Sequence, residues 1–234
     1  MFDATTRDGV LRLQRADACW LSTGWDGGLA RADCAFNVTV PEGWNPGDID
    51  DYVAGRLADA NFDRPPRAPV LLTGVSQRHA RVARLGPVEA AATVGLSNPA
   101  ALPTDPEGGS LPEEPDAVAG TVNVVVGTTR ALDDAALANL VAVAAEAKTA
   151  TLLDATGFPG TTTDAVVAAC DPSGEPAAFS GSATRVGSAA RACVRDAVAA
   201  SLESRYGDDS LPSSVEDARH GVSTDARADV SRPE

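Results

Sequence analysis

The second half of the chain alternates strand-like and helix-like runs, and this order constrains the fold more than any other feature. Residues 120–127 and 162–170 are short apolar runs rich in valine and alanine. A long alanine-rich run follows the first, from about Asp133 to Gly157, and an amphipathic run, 184–206, follows the second. Strand, helix, strand, helix in this order predicts an α/β (mixed α+β) fold with a layered mixed sheet and packed amphipathic helices.

The first half predicts further strands and one short helix. Residues 10–40 indicate strands joined by tight turns, because the Asp-Gly pair of "WDGG" (Trp25–Gly28) lies between apolar runs. Asp48 is placed to cap a short amphipathic helix. Residues 68–75 indicate a buried strand, whereas residues 88–98 are ambiguous, since their alanines favour a helix and their Gly and Asn exit favours a strand.

The domain organisation follows from where the apolar periodicity stops. We expect one domain over residues 1–206, because no internal repeat divides it. Residues 98–120 are rich in proline, glycine and acid, which predicts an exposed acidic loop or insertion. Residues 207–234 are polar without apolar periodicity, which predicts a disordered acidic tail.

The charge of the chain indicates habitat more than function. The chain has 33 acidic and 19 basic residues, and its net charge is −14. Only one of the basic residues is a lysine. An acidic, lysine-poor surface is typical of an extreme halophile, with an acidic mesophilic protein as the alternative. We therefore interpret the acidic clusters Asp48–Asp51, Pro112–Asp116 and Gly207–Asp209 as solvated surface. Such a surface repels nucleic acid and anionic lipid, so we expect neither as a partner.

Several kinds of site and segment are not indicated by the sequence. The four cysteines show no zinc or redox spacing, and the two histidines, His79 and His220, are too few for an imidazole zinc site. We find no GxSxG motif, no signal peptide and no run of about 18 apolar residues. We expect a cytoplasmic protein, and the sequence specifies no oligomeric state.

The single lysine, Lys148, lies inside the predicted long helix. At about 100° per residue it shares a stripe with Leu140, Ala144 and Leu152, whereas Glu146 falls on the opposite face. A buried ammonium needs a carboxylate partner or a lowered pKa, and both are common at functional sites. The alternative is that Lys148 reaches solvent near the helix end. Spacing alone does not decide between them.

Two further polar features interrupt apolar segments. The run "TTTD" (Thr161–Asp164) brings three hydroxyls and a carboxylate to the entry of a strand, where they can position water or bind a substrate amide. The structural alternative is a threonine-rich turn in which Asp164 binds backbone amides. Asn123, inside an apolar strand, needs partners in the protein or in a ligand.

Taken together, these segments resemble one family. The motifs "GTVN" (Gly120–Asn123), "EAKT" (Glu146–Thr149) and "TDAVV" (Thr163–Val167), with Leu132, Asp134 and Ala136 opening the helix, resemble those of the adenosylcobinamide amidohydrolases (CbiZ). The likeness spans about residues 21–206 and is looser in the first half. The loop "ATGFPGTTTDA" departs from the family pattern, so the correspondence of its threonines is open.

The resemblance implies hydrolysis of the amide that joins the aminopropanol arm to the corrin ring, giving adenosylcobyric acid in cobamide salvage. It implies a corrinoid small-molecule substrate that carries its own cobalt, and no protein cofactor; we assign no metal-binding residues, and a carboxylate-bound metal stays open. The alternatives are a non-catalytic corrinoid carrier or sensor, and an interaction domain without a small ligand. The candidate catalytic residues are Lys148, Asp164, Thr163, Asn123 and Glu146, and the candidate substrate-binding residues are Ser22, Thr23, Gly74, Ser97, Asn98 and Thr149.

Overall fold

The computed structural model describes residues 1–41, 44, 47–111, 121–207, 211–218 and 220–233. The predicted acidic cluster Pro112–Asp116, and Gly120 of the "GTVN" motif, lie outside the described residues, as do Asp208 and Asp209. The elements are β1 Asp3–Arg7, β2 Val10–Ser22, β3 Gly28–Thr39, α1 Ile49–Asp59, β4 Val70–Thr73, β5 Arg81–Leu85, β6 Val88–Val94, β7 Pro99–Ala101, β8 Val122–Thr128, α2 Asp134–Thr156, β9 Gly160–Thr161, β10 Ala165–Cys170, α3 Arg185–Tyr206 and β11 Val222–Ser223.

A mixed sheet of eight strands forms the centre of the molecule, in the order β4-β3-β2-β10-β8-β6-β5, with β1 paired to β2. Strands β8 and β10 are parallel neighbours joined through α2, and α3 follows β10. The predicted α/β fold and its C-terminal strand-helix-strand-helix unit are therefore confirmed. The ambiguous segment is strand β6, because pairing with β5 and β8 buries every residue of it and overrides the helix preference of alanine.

Two hydrophobic cores lie on opposite faces of the sheet. Helices α2 and α3 cover one face, where valines of β8 pack against Leu140 and Val194. The other core contains Trp20 and Phe36 and is closed by α1, whose N-terminus Asp48 caps by accepting a hydrogen bond from the Asp51 amide at 3.0 Å. The sheet curls over this second core, so that side chains of β3 contact those of β6 and β8 directly.

Helix α2 is long and apolar enough to cross a membrane by length and composition, and the part of the chain that the structure describes contains no other such helix. The uninterrupted apolar run used as the sequence criterion does not detect it, because Glu146 and Lys148 fall inside it. In the structure α2 packs against the sheet and α3 and contributes to the core, with Leu137, Leu140 and Leu152 buried. This packing is that of a core helix.

The C-terminal segment differs from the predicted disordered tail. In its described part, β11 pairs in parallel with β7, and β7 pairs with β9, forming a second sheet of three strands. Apolar periodicity does not detect this pairing, because the segment is held by backbone hydrogen bonds while Val222 and Ser223 stay exposed. The segment therefore runs along the 98–111 loop that the sequence identifies as an insertion.

Candidate active site

A pocket of about 330 Å³ opens at the edge of the sheet where β2 ends and where β8 and β10 begin. Its volume is in the range of small-molecule sites. Its wall combines carboxylate, hydroxyl and amide groups with apolar side chains. Its lining residues are Thr23, Gly24, Trp25, Leu71, Leu72, Asn123, Thr163, Asp164 and Ala165.

Lys148 and Asp164 form a buried ion pair at this pocket. Lys148 lies on the inner face of α2 with 7% of its surface exposed, which decides between the two alternatives that the helical spacing leaves open, and its Nζ donates to Asp164 Oδ2. Asp164 also accepts from the Val122 amide at 2.9 Å, the Thr161 amide at 3.2 Å and the Thr161 hydroxyl. Both buried charges are therefore neutralised, and the carboxylate is held by three further donors.

The pair depends on a glycine that the sequence analysis misses. A Cβ atom on Gly160 would overlap Asp164 Oδ2 and lie 2.8 Å from Lys148 Nζ. Only a residue without a side chain leaves room for the ammonium and the carboxylate to meet. The one sequence indication is its position directly before the "TTTD" run.

Asn123 connects strands across the curled sheet. Its Nδ2 donates to Asn37 Oδ1 at 2.9 Å and to the Leu72 carbonyl at 3.0 Å. Its Oδ1 accepts from the Thr121 hydroxyl at 3.3 Å. Asn37 in turn donates to Thr93 Oγ1 at 3.0 Å. The structure thus gives both amide hydrogens of Asn123 protein partners, so it fixes the pocket wall instead of offering a donor to the substrate.

Asn98 holds the loop that carries Thr163. Its Nδ2 donates to Thr162 Oγ1 at 2.6 Å and reaches Thr163 Oγ1 at 3.5 Å, while its carbonyl accepts from the Thr162 amide at 3.2 Å. The Thr163 carbonyl accepts from the Thr121 hydroxyl at 2.6 Å. Thr163 is exposed on the pocket wall beside Asp164. The structure therefore brings Asn98, Thr163, Asp164 and Lys148 into one contiguous cluster.

The turn between β2 and β3 supplies Thr23, Gly24 and Trp25 to the pocket wall. The Thr23 hydroxyl accepts from the Val166 amide at 3.0 Å and contacts the Val166 carbonyl at 3.3 Å, which fixes the turn to β10. Ser22 is buried, and its hydroxyl accepts from the Gly24 amide at 3.1 Å. Ser22 lines a neighbouring cavity of about 90 Å³ that shares Trp25 with the main pocket.

Other predicted site residues are not brought to the pocket. Glu146 lies on the exposed side of α2 and pairs with Arg191 at 3.3 Å. Gly74 is exposed, and Thr149 is half-buried on α2; neither lines the pocket. Ser97 precedes Asn98, and its carbonyl accepts from the His220 amide at 3.1 Å. We therefore leave Glu146, Gly74 and Thr149 out of the proposed site.

The pocket walls contain neither a cysteine nor a histidine among the described residues. Burial raises the pKa of the Cys34 and Cys193 thiols to about 11, so neither forms a thiolate readily. His79 contacts Arg78 and Ser204 instead. Within the described ranges no three His, Cys, Asp or Glu side chains group as metal ligands. The groups that the pocket offers are hydroxyl and carboxylate, with an ammonium behind the carboxylate.

The family model described as adenosylcobinamide amidohydrolase (CbiZ) matches residues 2–210. A protein of Halobacterium salinarum named adenosylcobinamide amidohydrolase is 64% identical over 233 residues, covering 100% of both chains. A protein of the same name from Methanosarcina mazei is 31% identical over 196 residues, covering 79% of this chain and 90% of that one. A solved structure from Pyrococcus horikoshii OT3 is 12% identical, with a TM-score of 0.41 over 86% of this chain and 78% of that one, which is too weak for inference.

Proposed function

This chain belongs to the adenosylcobinamide amidohydrolase family, and we propose that it hydrolyses an amide bond of adenosylcobinamide at the pocket that Asp164 lines. The observation that carries this proposal is the buried Lys148–Asp164 pair on the wall of that pocket. A buried pair often stabilises a fold less than apolar residues of the same shape would. Its presence at a pocket therefore favours a chemical role.

The proposed bond is the amide that joins the aminopropanol arm to the corrin ring. One water is consumed, the C–N bond breaks, and the products are adenosylcobyric acid and free aminopropanol, as expected of a step in cobamide salvage. Cobalt belongs to the substrate, and we assign no cofactor to the protein. The pocket of about 330 Å³ is far smaller than a corrin, so the arm enters it and the ring rests on the rim near Trp25.

In the proposed mechanism the Lys148–Asp164 pair holds a carboxylate at the wall of the pocket. Asp164 accepts hydrogen bonds from three donors besides Lys148, and these bonds fix its position as the partner of the ammonium. The ammonium of Lys148 lies behind the Asp164 carboxylate, and the carboxylate lines the pocket. At the pocket wall the Asp164 carboxylate accepts the proton of the attacking hydroxyl and passes it to the leaving amine nitrogen, while Lys148 holds the carboxylate in place.

Thr163 supplies the hydroxyl of the reaction. Its oxygen either attacks the carbonyl carbon, giving an ester that a water then hydrolyses, or orients the water that attacks directly. In both cases the proton of the attacking hydroxyl leaves with the amine nitrogen. Thr163→Ser keeps the hydroxyl and retains most of the turnover in either case, whereas Thr163→Val loses it. An ester on residue 163, detected by mass spectrometry of acid-quenched protein, distinguishes direct attack from water attack.

The reaction itself is tested by incubating the protein in multimolar KCl with adenosylcobinamide and analysing the products by mass spectrometry. Adenosylcobyric acid and aminopropanol in equal amounts support the proposal, and an arm with EDTA tests for a metal requirement. Bound but intact corrinoid would instead indicate a carrier. We also propose a cytoplasmic location, which agrees with four unpaired cysteines.

A further inference from the structure

The small sheet connects the C-terminal segment to the loop of the active site. Its order is β11-β7-β9, with β11 parallel to β7 and β7 antiparallel to β9. Strand β9 is Gly160–Thr161, which contributes the residue that leaves room for the ion pair and a donor to Asp164. One element therefore separates the C-terminal segment from the catalytic loop.

Both sides of the middle strand are held by hydrogen bonds. On the outer side, the His220 amide donates to the Ser97 carbonyl at 3.1 Å and the Thr224 amide donates to the Ala101 carbonyl at 3.0 Å. Arg227 adds bonds to Asp105 Oδ1 at 2.7 Å and to the Pro106 carbonyl at 2.9 Å. These bonds fix the 97–106 stretch from outside.

On the inner side, Asn98 holds Thr162 through both its carbonyl and its side chain, and it reaches Thr163. Asn98 has no exposed surface and directly precedes β7, so its position depends on where β7 lies. Without the bonds to the C-terminal segment, β7 and β9 would form a sheet of only two strands, and such a sheet is marginally stable in water. The catalytic loop would then lose a fixed support.

The C-terminal segment is not part of the match to the family. The family model ends at residue 210, whereas the Halobacterium salinarum relative matches the whole chain. The core of the fold, from β1 to α3, lies within the family match. The segment is thus an addition to a complete domain and not one of its core elements.

We propose that residues 220–227 are a positioning segment for the reaction. By holding β7 they fix Asn98 and β9, and so set Thr163 and Asp164 relative to Lys148. This inference rests on the proposed function for its catalytic consequence. The contacts predict an effect on kcat and little effect on KM, because residues 220–227 do not line the pocket.

A chain that ends at residue 210 tests the segment directly in multimolar KCl. Because misplacing reacting groups by about 1 Å costs up to about a hundredfold in rate, we expect kcat to fall about tenfold or more. KM should change less than about twofold, and added peptide 211–234 should restore kcat. An unchanged kcat, or a loss that the peptide does not restore while the truncated chain remains folded, would overturn the proposal.

Two proline variants of the full chain keep the test valid if the truncated chain does not fold. Thr224→Pro removes the amide that donates to Ala101, whereas Ser223→Pro changes an amide that points away from β7, since donors alternate along a strand. We expect Thr224→Pro to lower kcat and Ser223→Pro to leave it near the wild-type value. Equal kcat for the two variants would contradict the proposal.

Hydrogen exchange separates failure of this inference from failure of the proposed function. The amides of Thr161 and Thr162 should exchange faster in Thr224→Pro than in Ser223→Pro, with or without turnover. If the wild type hydrolyses no corrinoid, this difference still establishes the support of the loop. Equal exchange in both variants would show that the segment does not hold it.

Discussion

At the scale of single residues, the molecule explains why a chain almost without lysine contains one in a core helix. The ammonium of Lys148 is buried and meets the carboxylate of Asp164, which comes from a loop 16 residues further along. Helical spacing places Lys148 in an apolar stripe without deciding whether it is buried, and the "TTTD" run identifies Asp164 as a candidate. The sequence does not predict that the two meet, because that depends on the path of the loop between α2 and β10.

Gly160→Ala should disrupt the site without changing any polar group. The new Cβ would overlap Asp164 Oδ2 and crowd Lys148 Nζ, so the ion pair must open or the loop must shift. We expect kcat to fall by about a hundredfold, the cost of a misplaced reacting group. Gly55→Ala is the matched control, since a Cβ there meets nothing within 4 Å. Steady-state kinetics that gave equal kcat for the two variants would contradict the geometry.

At the scale of elements, helices and strands with a regular spacing of apolar residues are predictable from the sequence. Contacts between strands far apart in the chain are not. The spacing of apolar residues predicts α2, α3 and the strands around them. The curl of the sheet, which brings Asn37 of β3 to Asn123 of β8, depends on strand twist and on neighbours far apart in the chain. An isolated Asn in the apolar run "FNVTV" is the only sequence indication of the Asn37 contact.

Asn123→Ala should loosen the strands that form the pocket wall. It removes the donor to Asn37 Oδ1 and to the Leu72 carbonyl, and a buried group left unsatisfied costs about 1–3 kcal/mol. Gln14→Ala, at an exposed position of β2, should cost less than about 0.5 kcal/mol. Urea unfolding at fixed KCl measures both values. Similar costs for the two variants would show that the connection across the sheet carries little energy.

The contact between the Gln77–His79 turn and α3 should make stability depend on pH. Burial, with the nearby charges of Arg78, Arg205 and Arg81, holds the pKa of His79 below its ordinary value of 6.5. Above pH 6.5 the ring is neutral in both folded and unfolded chains. As the pH falls below 6.5 the unfolded chain takes up the proton first, so the free energy of unfolding decreases, by at most about 1.4 kcal/mol per pH unit.

The measurement is urea unfolding at pH 7.5 and pH 5.5 for the wild type, His79→Gln and His220→Gln. We expect His79→Gln to lose part of the pH dependence and His220→Gln, in the exposed C-terminal segment, to retain it. If His79→Gln keeps the full wild-type dependence, the pH response originates in other groups.

At the scale of the whole molecule, we expect the net charge of the chain to make the stability of the fold depend on salt concentration. The chain carries −14 and resembles a protein of a halophilic archaeon over its whole length. The composition predicts this property, whereas it gives no information on the site. Asp48, Asp50 and Asp51 are exposed, and Asp164, the carboxylate of the proposed site, is distinguished only by its neighbours.

The free energy of unfolding should rise with KCl, because repulsion among carboxylates is screened. The screening length falls from about 10 Å at 0.1 M to about 3 Å at 1 M salt, so the steepest gain should come below about 1 M. Thermal unfolding across a KCl series measures this gain. Sucrose at equal osmolality is the control, and an equal gain in sucrose would show that screening is not the cause.

The central claim is that the Lys148–Asp164 pair performs the chemistry of this pocket. The most direct measurement compares single-turnover rates on adenosylcobinamide for the wild type, Lys148→Met and Lys148→Met/Asp164→Asn. Both variants should lose about 10²- to 10⁴-fold in rate, the range that general acid–base catalysis contributes, because both remove the pair that holds the carboxylate. The double variant should be the more stable of the two, because it leaves no unpaired buried charge. A folded double variant that turns over at the wild-type rate would contradict the claim.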